Sequence, residues 1–131
     1  MEERVKQELE LLRRRFSDLE YVASGHWFKI PRFLLPEGWN QTTTSIAFSA
    51  PVGYPGTPPY GIYVPCGIRF NSTMPGSYSE PAGTQPPFGG SWGIFSWTPV
   101  DGEWRPTASL VSGSNLLNWV LGFADRFREG V

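Results

Sequence analysis

Apolar side chains recur at spacings of three and four residues along the first part of the chain, which is typical of an amphipathic helix. They are Val5, Leu9, Leu12, Phe16 and Leu19. This spacing predicts a helix from Met1 to about Leu19. Arg13, Arg14 and Arg15 lie near its end, where cations interact favourably with the helix dipole. The triplet is either a solvated helix end or a docking face for an acidic partner.

Between residues 21 and 64 the pattern changes to short runs of apolar and β-branched residues, which indicate β-strands. The runs are "HWFKI" at 26–30, "SIAFSA" at 45–50 and "YGIYV" at 60–64. Pro36 and Gly38 mark a turn between the first two. Because the connections are short, we expect antiparallel strands that are neighbours in chain order.

The segment from Cys66 to Gly90 is rich in glycine, proline and serine and shows little periodicity. We expect a long ordered loop, since it carries aromatic residues that a core can bury, followed by a short strand or extended arm around "SWGIFSW" at 91–97. Ser114 is a suitable N-cap for a closing helix at about 115–128. The prediction is a single α+β domain over 1–131 with an N-terminal helix, a four-stranded antiparallel meander sheet, a long loop at one edge and a C-terminal helix.

Charge and composition exclude several classes of function. The net charge is −1, which gives no field to hold nucleic acid or an anionic membrane, and no apolar run approaches the ~18 residues of a membrane span. Cys66 is the single cysteine and has no partner for an internal disulfide, which favours a reducing cytoplasm. The single histidine, His26, lies far along the chain from Ser96, against a Ser-His-Asp triad. No metal-ligand cluster or phosphate-binding loop is present in the sequence, so we expect no metal and no cofactor.

Three motifs follow one another along the chain. The first is Tyr54-Pro55-x-x-Pro58-Pro59, the second is "GIFS" at 93–96, and the third is "WRP" at 104–106, which begins eight residues after Ser96. In this order and spacing the chain resembles the ubiquitin-conjugating enzyme family, in which Gly-x-Ile-Cys carries the catalytic cysteine. It looks most like the short prokaryotic branch, from operons that also encode a ubiquitin-like protein, an activating enzyme and a deconjugating peptidase. The resemblance covers nearly the whole chain.

The resemblance implies a conjugating-enzyme-like protein of a bacterial pathway that receives a ubiquitin-like protein from the activating enzyme. Ser96 stands where the family has its acyl-carrying cysteine. A serine hydroxyl is essentially un-ionised at neutral pH and needs an adjacent base. Asp101 is the candidate base, with Glu103 and Tyr78 as other possible helpers. The family's His-Pro-Asn element is absent, and Asn71 is the candidate oxyanion donor in its place.

Several alternatives remain open at this point. Cys66 is a rival nucleophile, since it follows the strand after the proline-rich bend, as we call the first motif at 54–59. A second alternative is a catalytically inactive scaffold that binds the ubiquitin-like protein or its activating enzyme. A third alternative is an aromatic-rich ligand binder. By the same resemblance, Arg13, Arg14 and Arg15 are candidates for binding the activating enzyme, and the deconjugating peptidase of the operon is a further expected partner.

Overall fold

The computed structural model describes residues 2–96, 104–107 and 113–129. Over these ranges the chain forms one helix, then six strands, then a second helix. The elements are α1 (Glu2–Arg15), β1 (Glu20–Val22), β2 (Trp27–Leu34), β3 (Thr43–Ser49), β4 (Ile62–Pro65), β5 (Tyr78–Ser79), β6 (Trp92–Phe95) and α2 (Leu116–Glu129).

The strands form one sheet in the order β1-β2-β3-β4-β6-β5, and every neighbouring pair is antiparallel. The prediction of a four-stranded meander is therefore wrong. The sheet has six strands, and only the first four follow the order of the chain. The two strands at its edges, β1 and β5, are three and two residues long. Strands this short carry no readable alternation, so the sequence pattern gives no sign of them.

The core joins one face of the sheet to helix α2 and to Val5 and Leu12 of α1. The rings of Phe28 and Phe48 stack across β2 and β3 with centroids 5.3 Å apart. Trp119 of α2 packs on Phe48 at 5.4 Å, and Phe123 packs on Phe95 of β6 at 5.7 Å. The aromatic residues of α2 follow at intervals of four, which places them on the same face of the helix.

Helix α1 ends at Arg15, four residues before the predicted end. The chain then turns, because the backbone N–H of Leu19 donates to the carbonyl of Phe16 at 3.1 Å. Asp18 in this turn accepts a hydrogen bond from Arg32 of β2 at 3.0 Å. Leu19 is still buried, so the apolar spacing that extends past the helix reports burial rather than helical structure.

The N-cap of α2 is Asn115 and not the expected Ser114. The Asn115 side-chain oxygen accepts the N–H of Asn118 at 2.8 Å, as an N-cap residue does. The Ser114 hydroxyl instead accepts the backbone N–H of Arg105 at 2.9 Å. It thus holds the segment that precedes the helix.

Glu8 joins both helices to the proline-rich bend. Its side chain is fully buried, and its carboxylate accepts Nε of Arg4 at 2.7 Å, the Tyr54 hydroxyl at 2.5 Å and the N–H of Leu116 at 2.5 Å. The Arg4 guanidinium also donates to the carbonyls of Thr107 and Ser114. Burial, followed by the charge of Glu8, raises the pKa of Tyr54 far above its ordinary value, so the phenol stays protonated.

Within the described ranges, no helix combines the length and the apolar character required to cross a bilayer.

Candidate functional site

Ser96 lies one residue beyond the end of β6, and it is exposed. The residue before it, Phe95, is fully buried, and the backbone N–H of Ser96 donates to the carbonyl of Ser77 at 2.7 Å. The Ser96 hydroxyl makes no hydrogen bond with any residue that the structure describes. The backbone at this position is therefore fixed by the sheet, while the hydroxyl is presented to solvent.

Gly61 lies beside Ser96 on the β4 side. The register pairs Ile62 with Phe95, so Gly61 is the residue next to this last pair. Its φ is +73°, and a Cβ added there would lie 2.8 Å from the carbonyl oxygen of Phe95. A side chain would push the two strands apart at the place where Ser96 leaves the sheet, which is why glycine is required.

The first and third sequence motifs are in contact, and the strand that follows the first pairs with the strand that carries the second. Trp104 donates its indole N–H to the carbonyl of Pro55 at 2.7 Å, and its ring lies 6.0 Å from the ring of Tyr54. The bend and the "WRP" element are thus in direct contact. The strand β4 follows the proline-rich bend along the chain, and it pairs with β6, the strand that leads into Ser96 of "GIFS".

Two of the candidate helpers, Asn71 and Tyr78, lie in the described part of the chain, and neither hydrogen-bonds to the Ser96 hydroxyl there. Asn71 is exposed at φ +49°, and its backbone N–H donates to the carbonyl of Gly38 at 2.7 Å. No hydrogen bond joins Asn71 to Ser96 in the described part of the chain. Asp101 and Glu103 lie outside the described residues.

Tyr78 of β5 pairs with Phe95, the residue before Ser96, but its hydroxyl is directed toward Glu80 and not toward Ser96. The ring packs on Phe95 at 4.7 Å, and the hydroxyl donates to Glu80 at 2.7 Å. The hydroxyl lies over Gly93, whose missing Cβ makes room for it. Gly93 precedes Ser96 by three residues, about 10 Å along a strand. Burial and the hydrogen bond to Glu80 also raise the pKa of Tyr78, so this phenol is not a base for Ser96.

Glu80 organises the long loop, a role that the sequence did not reveal. Its carboxylate accepts Arg69 at 2.7 Å, the N–H of Gly67 at 2.8 Å and the Tyr78 hydroxyl at 2.7 Å. The hydrogen bond from Arg69, followed by those from Gly67 and Tyr78, lowers the pKa of Glu80 from its ordinary value of 4.5 to about 2. Arg69 and Glu80 lie eleven residues apart in a segment without periodicity, so no sequence signal marks the pair.

Cys66 lies beside this ion pair, at the opposite end of the β4–β6 pair from Ser96. It follows Pro65, which pairs with Trp92, and its N–H donates to the carbonyl of Ser91 at 3.0 Å. The thiol is partly buried, and burial followed by the negative charge of Glu80 raises its pKa. A raised pKa leaves less thiolate at neutral pH, which makes Cys66 a weaker nucleophile than an ordinary cysteine.

Arg13, Arg14 and Arg15 form the last turn of α1, and all three side chains are exposed. The Arg15 guanidinium lies over the ring of Phe16, 5.5 Å from its centroid. His26 lies in the turn before β2, with its Nδ1 atom 2.7 Å from the Tyr21 hydroxyl. It takes part in a local contact of the turn and not in the surroundings of Ser96 that the structure describes.

In the ranges 2–96, 104–107 and 113–129 there is no cluster of three or more histidine, cysteine, aspartate or glutamate side chains that could bind a metal ion. Comparisons of the chain with protein-family models, with curated proteins and with solved structures found no match.

Proposed function

We propose that this chain is a ubiquitin-conjugating-enzyme-like protein of a bacterial conjugation pathway. In this proposal an activating enzyme hands over a ubiquitin-like protein, and Ser96 accepts its C-terminal acyl group. The observation that carries the proposal is the presentation of Ser96: an exposed hydroxyl without a hydrogen-bond partner in the described residues, on a backbone held by Ser77. A bulky protein C-terminus can approach such a hydroxyl.

The motif contacts support the same proposal. The proline-rich bend, the "WRP" element and the strand that ends at Ser96 form one continuous region, through the contact of Trp104 with Pro55 and the pairing of β4 with β6. Three motifs can serve one functional site only if they lie in the same region of the fold, and these contacts are consistent with that requirement.

The chemistry requires two groups besides Ser96. A base takes the proton of the hydroxyl as its oxygen attacks the C-terminal carbonyl, and a donor stabilises the oxyanion that forms. The oxyanion then collapses, the bond between the carbonyl and the activating enzyme breaks, and the leaving atom of that enzyme takes up the proton. We keep Asp101 as the proposed base and Asn71 as the proposed donor. Arg13, Arg14 and Arg15 are the proposed contacts to the activating enzyme, in a cytoplasmic pathway that also has a deconjugating peptidase.

The test is an adduct assay. The protein is mixed with the activating enzyme and ubiquitin-like protein encoded beside it and with ATP, and any adduct is mapped by mass spectrometry. Ser96→Ala should abolish the adduct, whereas Ser91→Ala, an exposed serine at the other end of β6, should leave it intact. Cys66→Ala should also leave it intact, and Ser96→Cys should give a product labile to hydroxylamine and thiols. An adduct that persists in Ser96→Ala would overturn the assignment.

One observation favours the non-catalytic alternative. No described carboxylate or imidazole hydrogen-bonds to Ser96, and the neighbouring Tyr78 hydroxyl is committed to Glu80. An inactive scaffold would bind the ubiquitin-like protein or its activating enzyme, form no adduct with ATP, and keep its affinity in Ser96→Ala.

A further inference from the structure

We propose that a groove at the end of α1 binds an acidic peptide segment of a partner protein through that segment's apolar side chains. The α1–β2 groove has a volume of about 290 Å³ and is lined by Arg15, Phe16, Arg32, Phe33, Leu34 and Leu121. It does not include Ser96, and the inference does not rest on the proposed conjugation function.

The floor of the α1–β2 groove is preformed. Phe16 packs on Phe33 with centroids 6.2 Å apart, and Phe33 packs on Phe127 of α2 at 5.9 Å. Phe33 and Phe127 belong to the main core, so the floor is as fixed as the domain itself. A ligand therefore meets a rigid apolar surface and loses little affinity to ordering of the protein.

A break in the strand pattern brings a leucine to the groove surface. Phe28 and Ile30 face the core, and strict alternation would turn Arg32 and Leu34 inward as well. The register of β2 against β3 shifts between Ile30 and Phe33. The shift turns Phe33 inward and leaves Leu34 77% exposed.

A second leucine adds to this apolar surface from α2. Leu121 is 37% exposed and lines the same groove. Single exposed leucines are ordinary, but two of them around a concave aromatic floor form a docking surface for apolar side chains.

The charges around the groove select the partner. Arg15 and Arg32 line it, and Arg13 and Arg14 lie on the same exposed turn of α1. Asp18 forms an ion pair with Arg32. No carboxylate is among the described residues that line the groove, so none of them neutralises Arg15. A positive rim around an apolar floor is complementary to a peptide that carries both carboxylates and apolar side chains.

The shape argues for a peptide and against a membrane surface. The groove is concave and has room for only a few side chains, whereas an anionic bilayer would contact a broader, flatter patch.

The probe is a fluorescently labelled synthetic peptide of glutamate and aspartate with leucines at helical spacing, and binding is followed by fluorescence polarisation. Leu34→Ser should weaken binding about tenfold, and Arg15→Glu should slow association and reduce its dependence on salt. The matched controls are Val52→Ser, a 94% exposed apolar residue outside the groove, and Lys6→Glu, an exposed cation on the same helix. Both should keep the wild-type affinity within about twofold.

Three results would overturn the proposal. The first is a wild-type protein that does not bind the probe, and the second is an unchanged affinity in Leu34→Ser. The third is Leu34-dependent binding to phosphatidylserine-containing vesicles in place of the peptide, which would assign the groove to a membrane. Circular dichroism of each variant checks that the fold is retained. Leu34→Ser leaves Ser96 and the three arginines of α1 unaltered, so with this variant the adduct assay and the peptide assay can fail separately.

Discussion

Replacing Glu8 by alanine should destabilise the whole domain, because three donors from different segments share its carboxylate. The change leaves Nε of Arg4, the Tyr54 hydroxyl and the N–H of Leu116 without their acceptor. The Arg4 side chain is 11% exposed and that of Glu8 is 0% exposed, so water replaces the lost partner poorly.

The magnitude follows from this burial. Removing one member of a buried ion pair costs about 3–5 kcal/mol, because a charge is left uncompensated. We therefore expect Glu8→Ala to lower the free energy of unfolding by about 3–5 kcal/mol, a large share of the roughly 5–15 kcal/mol of a typical domain. Glu8→Gln keeps the volume and one acceptor oxygen, so its loss should be smaller, about 1–3 kcal/mol.

The assay is equilibrium unfolding in urea, followed by tryptophan fluorescence, with the free energy taken from midpoint and slope. The matched control is Glu10→Ala, which removes an exposed carboxylate from the same helix and should change the free energy of unfolding by no more than about 0.5 kcal/mol. If Glu8→Ala were as stable as Glu10→Ala, the carboxylate would not hold the two helices together, and the reasoning would be refuted.

Three further predictions concern the loop and the turns. The pKa of Glu80 is lowered from 4.5 to about 2 in the folded protein, so its contribution to stability is complete above about pH 4.5 and is lost as the pH falls toward 2; Glu80→Gln should flatten the acid dependence of the urea midpoint over this range, and an unchanged slope would contradict it. Cys66 has a raised pKa, so iodoacetamide should alkylate it at pH 8 more slowly than it alkylates glutathione, and an equal rate would disprove the assigned burial. Gly61→Ala should lower the free energy of unfolding by about 1–2 kcal/mol, since the φ of Gly61 is +73° and the carbonyl of Phe95 blocks a Cβ. Gly122→Ala, in open space on α2, should raise the free energy of unfolding by about 0.5–1 kcal/mol. A change of the same sign in both variants would contradict this prediction.

The sequence pattern located the longer elements because their burial is periodic. The spacing from Val5 to Leu12 marks the buried face of α1, and the apolar runs at 26–30 and 45–50 fall on β2 and β3. Their ends were less accurate, since a buried residue such as Leu19 continues the apolar spacing after the helix has stopped.

The strand count was wrong because the two short edge strands, β1 and β5, were missed. Tyr78 and Ser79 of β5 pair with Phe95 and Ile94, which lie 17 and 15 residues further along the chain. A two-residue segment in a glycine- and proline-rich loop has no pattern of its own. Pairing of this kind is decided by tertiary contacts and not by local propensity.

The roles of Glu8 and Glu80 were not predicted from the sequence, for a related reason. Glu8 follows other acidic residues in the first half of α1, where the helix dipole alone is enough to explain it. Its burial depends on Tyr54 and Leu116, which are 46 and 108 residues away. At the candidate site the order and spacing of the three motifs identified Ser96 as the candidate residue. No pattern in the sequence indicated that the Tyr78 hydroxyl would donate to Glu80.

The short edge strands limit how this sheet can meet another copy of itself. An exposed edge is a template for strand addition and for cross-β polymerisation. Here one margin is β1, with three residues and an exposed Glu20, and the other is β5, with two residues and Pro81 close behind, which has no N–H to donate. The longest strands, β2 with eight residues and β3 with seven, have a neighbour on both sides. Self-assembly by strand addition is therefore confined to segments too short to sustain a fibril.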